Sequence, residues 1–379
     1  MQGGEPKRLH CALLNSQRMA PAQPGLQHIG ISLGNIGTLQ DGLGEFALQM
    51  GRHVAAHARQ WREQHGIAFA FHLREKLFGT FGDDVAYLPV TRWQRTWHVQ
   101  PRRYALWHSL HQLNKTLPPQ GCGPRLLTVH DLNYLYGRNA FSVWRHGRRT
   151  RALMGRTDHV VAISQYAAQD VRQHLGWSGP LDVIYRGPRK FDGALQPVPG
   201  FESRSQPFLF HLSRMSPSKN PLAILAMAQA WPEMDFLFCG PPTDDAQALR
   251  AATHLPNVHF VFAISEAQKA WAFAHCAGFV FPSITEGFGL PPVEAMQFGK
   301  PVFLSRFTSL PEIGGDAAFY FDDYAPQAMR RVVEHGLRVG AEPARIEHVL
   351  QHAATFDWVR AADSYLALYL RLLGRSVAS

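Results

Sequence analysis

Two glycines, two prolines and two carboxylates are concentrated in one short stretch of the sequence. Residues 283–296 read Ser-Ile-Thr-Glu-Gly-Phe-Gly-Leu-Pro-Pro-Val-Glu-Ala-Met and follow an apolar run that is predicted to be a strand. Glycine lets backbone approach a ligand closely, and proline fits the first turn of a helix. The free N–H groups and the dipole at such a helix start favour a phosphate. Glu294 follows Glu286 by eight residues, and we expect its carboxylate to accept hydrogen bonds from ribose hydroxyls.

A second set of charged residues follows another apolar run. Residues 211–220 read His-Leu-Ser-Arg-Met-Ser-Pro-Ser-Lys-Asn, so Arg214 and Lys219 precede a predicted helix by a few residues. The carboxyl ends of strands are where open α/β sheets bind ligands. An Arg fork and a Lys point charge can together hold a diphosphate. Standing alone, this stretch would be interpreted as a solvated loop.

The elements that must position these residues alternate between short β-rich runs and helical patterns. The strand candidates are residues 28–33, 67–71, 85–90, 125–130, 159–164, 181–185, 208–213, 235–240, 258–262, 278–283, 301–305 and 317–321. The helix candidates in the first half are residues 43–57, 104–113, 140–153 and 164–175. Apolar strands separated by helices predict parallel sheets covered on both faces. The fold class is therefore α/β, with two doubly wound Rossmann-like domains facing a cleft.

The domain boundaries follow from length and from turn-forming residues. A chain of 379 residues is long enough for two domains, and residues 187–207 interrupt the alternation with four Pro and three Gly. We place the first domain at 28–188, a linker at 189–207 and the second domain at 208–355. A C-terminal helix at 356–379 is expected to cross back to the first domain. Residues 1–27 are interpreted as a loosely ordered extension.

Composition excludes several classes of protein. With 46% hydrophobic and 18% charged residues, the chain is neither disordered nor a coiled coil. The mainly apolar stretches are shorter than the ~20 residues of a membrane span, and the N-terminus lacks the apolar core of a secretory signal. The four cysteines are scattered and form no C-x-x-C. This pattern indicates a cytoplasmic location.

Together these stretches resemble the retaining glycosyltransferases of the GT-B fold, specifically family 4. The resemblance rests on the E-x7-E motif at 286–294 and on R-x-x-x-x-K-N at 214–220. It also includes T-V-H-D-L at 128–132, S-L-P-E-I-x-G-D-A-A at 309–318 and a glycine loop at 41–45. It extends from about residue 28 to the end of the chain. A bacterial mannosyltransferase-like member is the nearest type.

The resemblance implies donor-binding roles for the matching positions of the second domain. Arg214 and Lys219 would neutralise the diphosphate of a nucleotide-sugar donor. Glu294 would hold the ribose, and Glu286 would contact the transferred sugar near its reacting carbon. Ile264 would lie against the base. Backbone contacts would come from Gly287, Phe288, Gly289 and Leu290.

The resemblance also implies roles in the first domain. His130 would lie over the transferred sugar as the second catalytic residue. Gly42, Leu43 and Gly44 would bring backbone to the donor phosphate or to the acceptor. The chain contains 20 histidines, so most of them carry no chemistry; His108 and His111 have metal-like spacing but are interpreted as a helix surface.

The implied reaction transfers a sugar with retained anomeric configuration. Its transition state resembles an oxocarbenium ion leaving a diphosphate, and the charge on that leaving group would be met by cationic side chains. No Asp-x-Asp triplet occurs in the sequence, so no metal and no cofactor are expected beyond the nucleotide-sugar co-substrate. GDP-mannose is the first candidate donor.

Other readings of the same residues lead to different functions. Residues 42–47 match the G-x-G-x-x-A dinucleotide fingerprint, which would indicate an NAD-dependent enzyme, but about eight residues separate Gly42 from the preceding strand. A sugar-nucleotide epimerase or a phosphorylase of the same fold is a closer alternative. The sequence contains no recognised nucleic-acid-binding motif, so no nucleic-acid partner is expected.

The charge is distributed unevenly. Between Val85 and Thr157, twelve Lys/Arg stand against the single acid Asp131. Residues 92–115 combine five of these cations with three Trp and one Tyr. Basic residues attract anionic head groups, and Trp and Tyr prefer the membrane interface. We therefore expect an anionic saccharide or glycolipid acceptor, as in lipopolysaccharide synthesis, and peripheral attachment to the cytoplasmic face of the inner membrane. The alternative is a core role for the Trp residues.

Overall fold

The computed structural model describes residues 25–39, 42–135, 140–202 and 206–375. Most of the predicted extension 1–27 therefore lies outside the described residues. Gln27 is already the first residue of a strand, so the first sheet begins one residue earlier than predicted.

The first sheet is parallel throughout. Its strands are β1 (Gln27–Ser32), β2 (Ile67–Leu73), β3 (Ala86–Pro89), β4 (Leu106–Ser109), β5 (Arg125–Val129), β6 (His159–Ala162) and β7 (Leu181–Val183), in the order β3-β2-β1-β4-β5-β6-β7. The described helices between them are α1 (Gly42–His65), α2 (Ala140–Met154) and α3 (Gln165–Leu175). The side chain of Ser164 caps α3 by accepting the N–H of Ala167.

The second sheet has the same parallel, doubly wound arrangement. Its strands are β8 (Phe208–Leu212), β9 (Asp235–Gly240), β10 (Val258–Phe262), β11 (Gly278–Phe281), β12 (Val302–Ser305) and β13 (Phe319–Phe321), in the order β10-β9-β8-β11-β12-β13. The helices that cover it are α4 (Pro221–Gln229), α5 (Asp244–Ala252), α6 (Glu266–His275), α7 (Leu290–Met296), α8 (Leu310–Gly314), α9 (Pro326–Gly340) and α10 (Pro343–Ala354). The α/β class and the two Rossmann-like sheets are confirmed.

The last helix, α11 (Trp358–Leu372), returns to the first domain. Its buried face joins the core that β1, β2 and α1 form. Two of its tyrosines continue into a buried polar network: the Tyr369 hydroxyl lies 2.6 Å from His108 Nδ1, and the Tyr365 hydroxyl lies 3.0 Å from Thr128 Oγ1. The predicted crossing of the C-terminal helix is thereby confirmed.

The predicted helix at residues 104–113 is wrong, because this segment contains strand β4. β4 is inserted between β1 and β5 and pairs with both. The placement of His108 and His111 on a helix surface is wrong as well, since their side chains are only 0% and 1% exposed. His108 is satisfied inside the protein, with Tyr369 at Nδ1 and with Thr128 Oγ1 2.8 Å from Nε2.

Three further segments differ in detail from the prediction. The predicted glycine loop at 42–44 is the first turn of α1, which extends to His65 rather than ending near residue 57. Asn220 occupies the N-cap position of α4, but it is left-handed and its side chain makes no capping hydrogen bond. Within residues 189–207, Phe191, Val198 and Phe201 pack onto the core of the second domain.

Candidate active site

A cleft of about 720 Å³ lies between the two domains. The first domain and the start of the connecting segment contribute Gly42, Glu45, Arg186, Gly187 and Arg189. The second domain contributes residues at or beyond the carboxyl ends of β8, β9 and β10 and at the start of α7, among them Arg214, Pro241, Ile264, Lys269, Leu290 and Glu294. The cleft therefore lies where open α/β sheets bind ligands.

The loop between β11 and α7 carries Glu286 and is held by two residues that follow β12. The Glu286 N–H donates to Thr308 Oγ1 at 3.0 Å, and the Ser309 hydroxyl donates to the carbonyl of Phe288 at 2.9 Å. Thr308 has a φ of +56°, an unfavourable conformation for a β-branched residue. Such strain is found where surrounding structure holds a functional group in place, and here it supports the backbone of Glu286.

Gly287 is the point at which this loop meets the first domain. A Cβ at this position would lie 2.3 Å from the carbonyl oxygen of His130 and 2.7 Å from Asp131 Cβ. The Ser164 hydroxyl donates to the carbonyl of Gly287 at 2.8 Å. Only glycine permits this approach, so the residue type is explained by contact between the two domains.

Lys219 and Glu286 form an ion pair beside the cleft. Lys219 Nζ lies 2.6 Å from Glu286 Oε1 and 3.3 Å from the carbonyl oxygen of Thr285. Both side chains are largely buried, at 18% and 13% exposure. Asp131 lies close enough for its pKa to respond: burial raises it, Glu286 raises it further and Lys219 opposes the change. The first domain thus presents a carboxyl group to this pair.

Arg214 lies on the wall of the cleft with an exposed side chain. Met215, which follows Arg214, and Asn220, which follows Lys219, have φ values of +56° and +52°. The Thr243 hydroxyl donates to the carbonyl of Arg214 at 2.9 Å. This strained, hydrogen-bonded loop directs the guanidinium toward solvent in the cleft, where an anion can reach it.

Glu294 is a buried acid on the same wall, with 6% of its surface exposed. Burial raises the pKa of its carboxyl, while Lys269, Arg189 and Arg186 act in the opposite direction. Ile264 lines the cleft next to Ala263, whose φ is +55°. A partly desolvated carboxylate beside an apolar side chain fits a ribose and an adjoining base.

His130 is not on the wall of the cleft. Its side chain is 3% exposed, its Nε2 lies 2.8 Å from the carbonyl oxygen of Leu110, and its ring packs edge-on against Phe46. Burial lowers its pKa to about 3, so the imidazole is neutral at pH 7. What reaches the second domain is the backbone of His130, at Gly287, rather than the imidazole that the sequence suggested.

The three residues of the predicted glycine loop have different surroundings. Gly42 lines the cleft, and a Cβ there would meet nothing within 4 Å. At Gly44 a Cβ would lie 2.1 Å from the carbonyl oxygen of Thr38, so this glycine is required for packing. Leu43 is partly buried against the first core.

Comparison with known proteins agrees with this architecture. Residues 50–188 match the family described as Glycosyltransferase Family 4, and residues 198–347 match the one described as Glycosyl transferases group 1. The two matches fall on the two domains and together cover most of the chain. The chain belongs to the family 4 glycosyltransferases.

Several characterised family members are similar in sequence. The serotype-specific mannosyltransferase WbdA of Escherichia coli is 30% identical over 242 residues, which are 58% of this chain and 30% of that protein. The O-antigen chain mannosyltransferase B of Escherichia coli is 31% identical over 150 residues, which are 37% of this chain and 39% of that protein. The chain thus spans less than half the length of these relatives.

Solved structures of other proteins share the fold. Sucrose-phosphate synthase from Thermosynechococcus elongatus superimposes with a TM-score of 0.69 and 18% identity, covering 92% of this chain and 99% of that one. Anabaena Alr3699/HepE in complex with UDP-glucose gives a TM-score of 0.65 and 16% identity, covering 91% and 99%. No helix within the described ranges combines the length and the apolar character needed to cross a bilayer.

Apart from Gly42, sequence reasoning missed the residues of the first-domain wall of the cleft in this glycosyltransferase. Glu45, Arg186 and Arg189 all line it, and Arg189 joins the domains by pairing with Glu45 Oε2 at 2.6 Å and with Glu266 Oε1 at 2.8 Å. Arg186 and Arg189 follow the last strand of the first sheet. Their position after a strand was the available signal, but Arg189 was assigned to the predicted linker and Arg186 to the end of the predicted first domain, and neither was given a role.

Proposed function

We propose that this family 4 glycosyltransferase moves a sugar from a nucleoside-diphosphate donor to a saccharide or glycolipid acceptor, with retention of anomeric configuration. The observation that carries the proposal is the placement of Arg214 and Glu294 on one wall of the interdomain cleft, with the Lys219–Glu286 pair on the adjoining loops. Arg214, a cation suited to a diphosphate, and Glu294, a buried acid suited to a ribose, thus lie on one wall of one cavity, and Lys219 adds a second cation on a loop outside the lining.

In this proposal the cationic side chains of the site stabilise the negative charge that develops during the reaction. Negative charge develops on the leaving diphosphate, and donors fixed around that charge lower the barrier. Removing one such donor typically raises the barrier by ~3–4 kcal/mol. Arg214 and Lys219 would serve in place of a metal ion, so we expect turnover to be unchanged by EDTA. Loss of activity on chelation, restored by a divalent cation, would contradict this part of the proposal.

The donor that we propose is a GDP-sugar, with GDP-mannose as the first candidate. One relative described above is named as a serotype-specific mannosyltransferase and the other as an O-antigen chain mannosyltransferase, which supports mannose and a role in lipopolysaccharide or another bacterial surface polysaccharide. A thermal-shift panel of GDP-, UDP- and ADP-sugars tests this choice. A ligand present at 100 times its Kd stabilises the folded state by ~2.7 kcal/mol.

Three substitutions test the assigned roles. Lys219→Ala and Glu294→Ala are expected to weaken donor binding through the phosphate and the ribose. Glu286→Gln is expected to lower kcat more than donor affinity, because its contact is to the transferred sugar. Lys300→Ala, a lysine of the same domain that does not line the cleft, is the matched control. Wild-type affinity and turnover in Lys219→Ala would show that the diphosphate assignment is wrong.

Product analysis distinguishes transfer from the other reactions of this fold. A transferase releases the nucleoside diphosphate and extends the acceptor with the donor's anomeric configuration. An epimerase converts the sugar nucleotide without needing an acceptor, and a phosphorylase requires inorganic phosphate. Nuclear magnetic resonance of the new glycosidic bond determines whether configuration is retained.

We further propose that the enzyme attaches to an anionic membrane through the turn at residues 92–99. Trp93 and Trp97 are 81% and 65% exposed, whereas Gln94 and His98 of the same turn are buried. Gln94 Oε1 lies 3.0 Å from His72 Nε2 and accepts the N–H of Thr91 at 2.7 Å. The two Trp side chains are therefore presented to solvent by a buried polar anchor, as interfacial residues would be.

Charge supports a lipid surface as the partner of this turn. Arg92 and Arg95 are exposed beside the two Trp side chains. The remaining aromatics of the predicted basic segment, Tyr104 and Trp107, are buried at 3% and 1% exposure, so only part of that segment is available. Each cation near an anionic surface contributes ~1 kcal/mol. The outward pair of Trp and the outward pair of Arg together fit an anionic leaflet.

Vesicle co-sedimentation tests the attachment. Binding is expected to require anionic lipid, to weaken with salt, and to fall in the Trp93→Ser/Trp97→Ser double variant. Arg102→Glu/Arg103→Glu should weaken binding less, because Arg102 is partly buried against His28. Equal binding to neutral vesicles, or none at low salt, would contradict the proposal and leave an enzyme that meets an anionic acceptor without attaching to the membrane.

A further inference from the structure

Arg186 is an almost completely buried cation at the junction of the first domain, the connecting segment and α11. Its side chain is 5% exposed. Its Nη1 donates to the carbonyl of Gly42 at 3.2 Å, and the guanidinium carbon lies 5.8 Å from the ring centre of Phe46 and 5.4 Å from that of Trp358. Its Nε and Nη2 have no hydrogen-bond partner in the described part of the protein. The two rings and one carbonyl fix the group without satisfying it.

The nearby acids do not supply the missing acceptors. Glu45 accepts from Arg189 at 2.6 Å and from Gln49 at 2.8 Å. Glu294 acts on Arg186 through the electric field alone. Burial lowers the pKa of Arg186 to about 10, so the guanidinium remains charged at neutral pH. A buried charge is ordinarily paired with an opposite charge and fully hydrogen-bonded, whereas Arg186 contacts no carboxylate in the described structure and makes the one hydrogen bond to Gly42.

The unmet donors belong to a residue that lines the interdomain cleft, next to the start of α1. Gly42 is the first residue of this 24-residue helix, lies on the cleft wall and faces open space where its Cβ would be. The positive end of a helix dipole favours an anion. Two independent sources of positive potential, Arg186 and the α1 terminus, therefore coincide on the wall opposite Arg214.

We propose that Arg186 and the first turn of α1 form a second anion subsite in the cleft, which takes a phosphate or carboxylate group of a substrate. This inference rests on the proposed function in one respect, because it requires that the cleft binds substrates. The anion has two possible sources, which are the diphosphate of the donor and an acidic group on the acceptor. In either case, an anionic oxygen would supply the hydrogen-bond acceptor that the guanidinium lacks in the described structure.

The test compares Arg186→Met with Arg186→Lys and with Lys190→Met. Lys190 is 67% exposed, lies 3.6 Å from Asp357 and does not line the cleft, so its substitution removes the same charge outside the subsite. Calorimetric titrations use the nucleoside diphosphate that gives the largest thermal shift, its parent nucleoside, and inorganic phosphate added to the enzyme saturated with that diphosphate. Melting temperatures confirm that each variant is folded.

Two results would support the subsite and identify its ligand. If the subsite holds the donor diphosphate, Arg186→Met weakens binding of the nucleoside diphosphate at least tenfold and leaves binding of the parent nucleoside unchanged. If it holds an acceptor group, the diphosphate binds normally, while inorganic phosphate binds the loaded wild-type enzyme and not the loaded variant. Arg186→Lys is expected to retain part of the binding, because it keeps the charge and loses the fork.

Three results would overturn the inference. The first is a folded Arg186→Met variant that binds the diphosphate and inorganic phosphate as the wild type does. The second is an equal loss in Lys190→Met, which would indicate an unspecific charge effect. If Arg186→Met does not fold, the test relies on Arg186→Lys instead. In that case the third contradicting result is an Arg186→Lys variant that binds the diphosphate and inorganic phosphate with wild-type affinity. Since each readout is binding, failure of sugar transfer would contradict the proposed function and leave these results interpretable.

Discussion

Glu312 links the two domains, and its removal should open the cleft. This residue of α8 belongs to the second domain, yet its Oε1 accepts the N–H of Gln165 at 2.6 Å and its Oε2 accepts the N–H of Tyr166 at 3.0 Å. Those N–H groups form the first turn of α3 in the first domain. The carboxylate therefore acts as a helix cap supplied from the opposite domain.

The size of the effect follows from these two contacts. Losing a helix cap costs ~0.5–2 kcal/mol, and a carboxylate at a helix N-terminus adds ~0.3–1 kcal/mol through the dipole. Ser164 still caps α3 from within its own domain, so the first domain is expected to remain folded. A loss of ~2 kcal/mol from the interface shifts the equilibrium between closed and open cleft by roughly 30-fold.

The assay compares Glu312→Ala with Glu312→Gln and with Glu334→Ala. The control removes an acid of the same domain that pairs with Arg330 on the surface of α9. Glu312→Ala is expected to lower kcat at least tenfold and to enlarge the radius of gyration in X-ray scattering, with nucleoside diphosphate affinity little changed. Glu312→Gln keeps an acceptor and should lie between the two. Wild-type kcat and radius in Glu312→Ala would refute a latching role for this carboxylate.

Three further perturbations test the interior of the protein. Gly287→Ala places a Cβ 2.3 Å from the carbonyl of His130, so we expect kcat to fall at least tenfold, and wild-type kcat would contradict the close approach. Tyr369→Phe removes the hydroxyl 2.6 Å from His108 Nδ1 and should lower the free energy of unfolding by ~1–3 kcal/mol, measured in urea. Burial is the main cause that lowers the pKa of five histidines to about 3 or 4, namely His28, His72, His108, His130 and His211. As pH falls below 6.5, the unfolded chain gains protons that the folded chain excludes, so stability should fall by ~1.4 kcal/mol per pH unit for each group; an equal urea midpoint at pH 7 and pH 5 would contradict this.

The strands were predictable because burial leaves a local mark on the sequence. Residues 67–71 and 278–281 are continuous apolar runs, and in the structure every one of them is buried within a parallel sheet. The helix prediction for residues 104–113 failed because the local pattern there does not match the structure. Tyr104, Trp107 and His108 give a helical spacing, whereas β4 pairs with β1 and β5 and its buried imidazole contacts partners far along the chain, such as Tyr369. Such a contact leaves no trace in the local pattern.

The residues of the candidate site likewise fall into a predictable group and an unpredictable group. The second-domain residues could be predicted because Arg214, Lys219, Glu286 and Glu294 lie in two short motifs. The spacing of each motif indicates by itself which ligand groups its side chains can bind. The first-domain wall could not be predicted, because its members are brought together only by folding: Arg186 contacts Gly42, 144 residues away in the chain. A cation is unremarkable in the sequence until its burial and its missing partners are known.

The charges of the cleft explain why the two walls must act together. Without a substrate, Lys219 is neutralised by Glu286, and Arg189 is neutralised by Glu45 and Glu266. A diphosphate must compete with Glu286 for Lys219, whereas no carboxylate contacts Arg186 in the described structure. The cations that are ready to receive an anion are therefore Arg186 on the first-domain wall and the exposed Arg214 on the second-domain wall, and the Lys219–Glu286 pair becomes available once the anion is present. Binding of the anion would separate Lys219 from Glu286 and free that carboxylate to face the sugar.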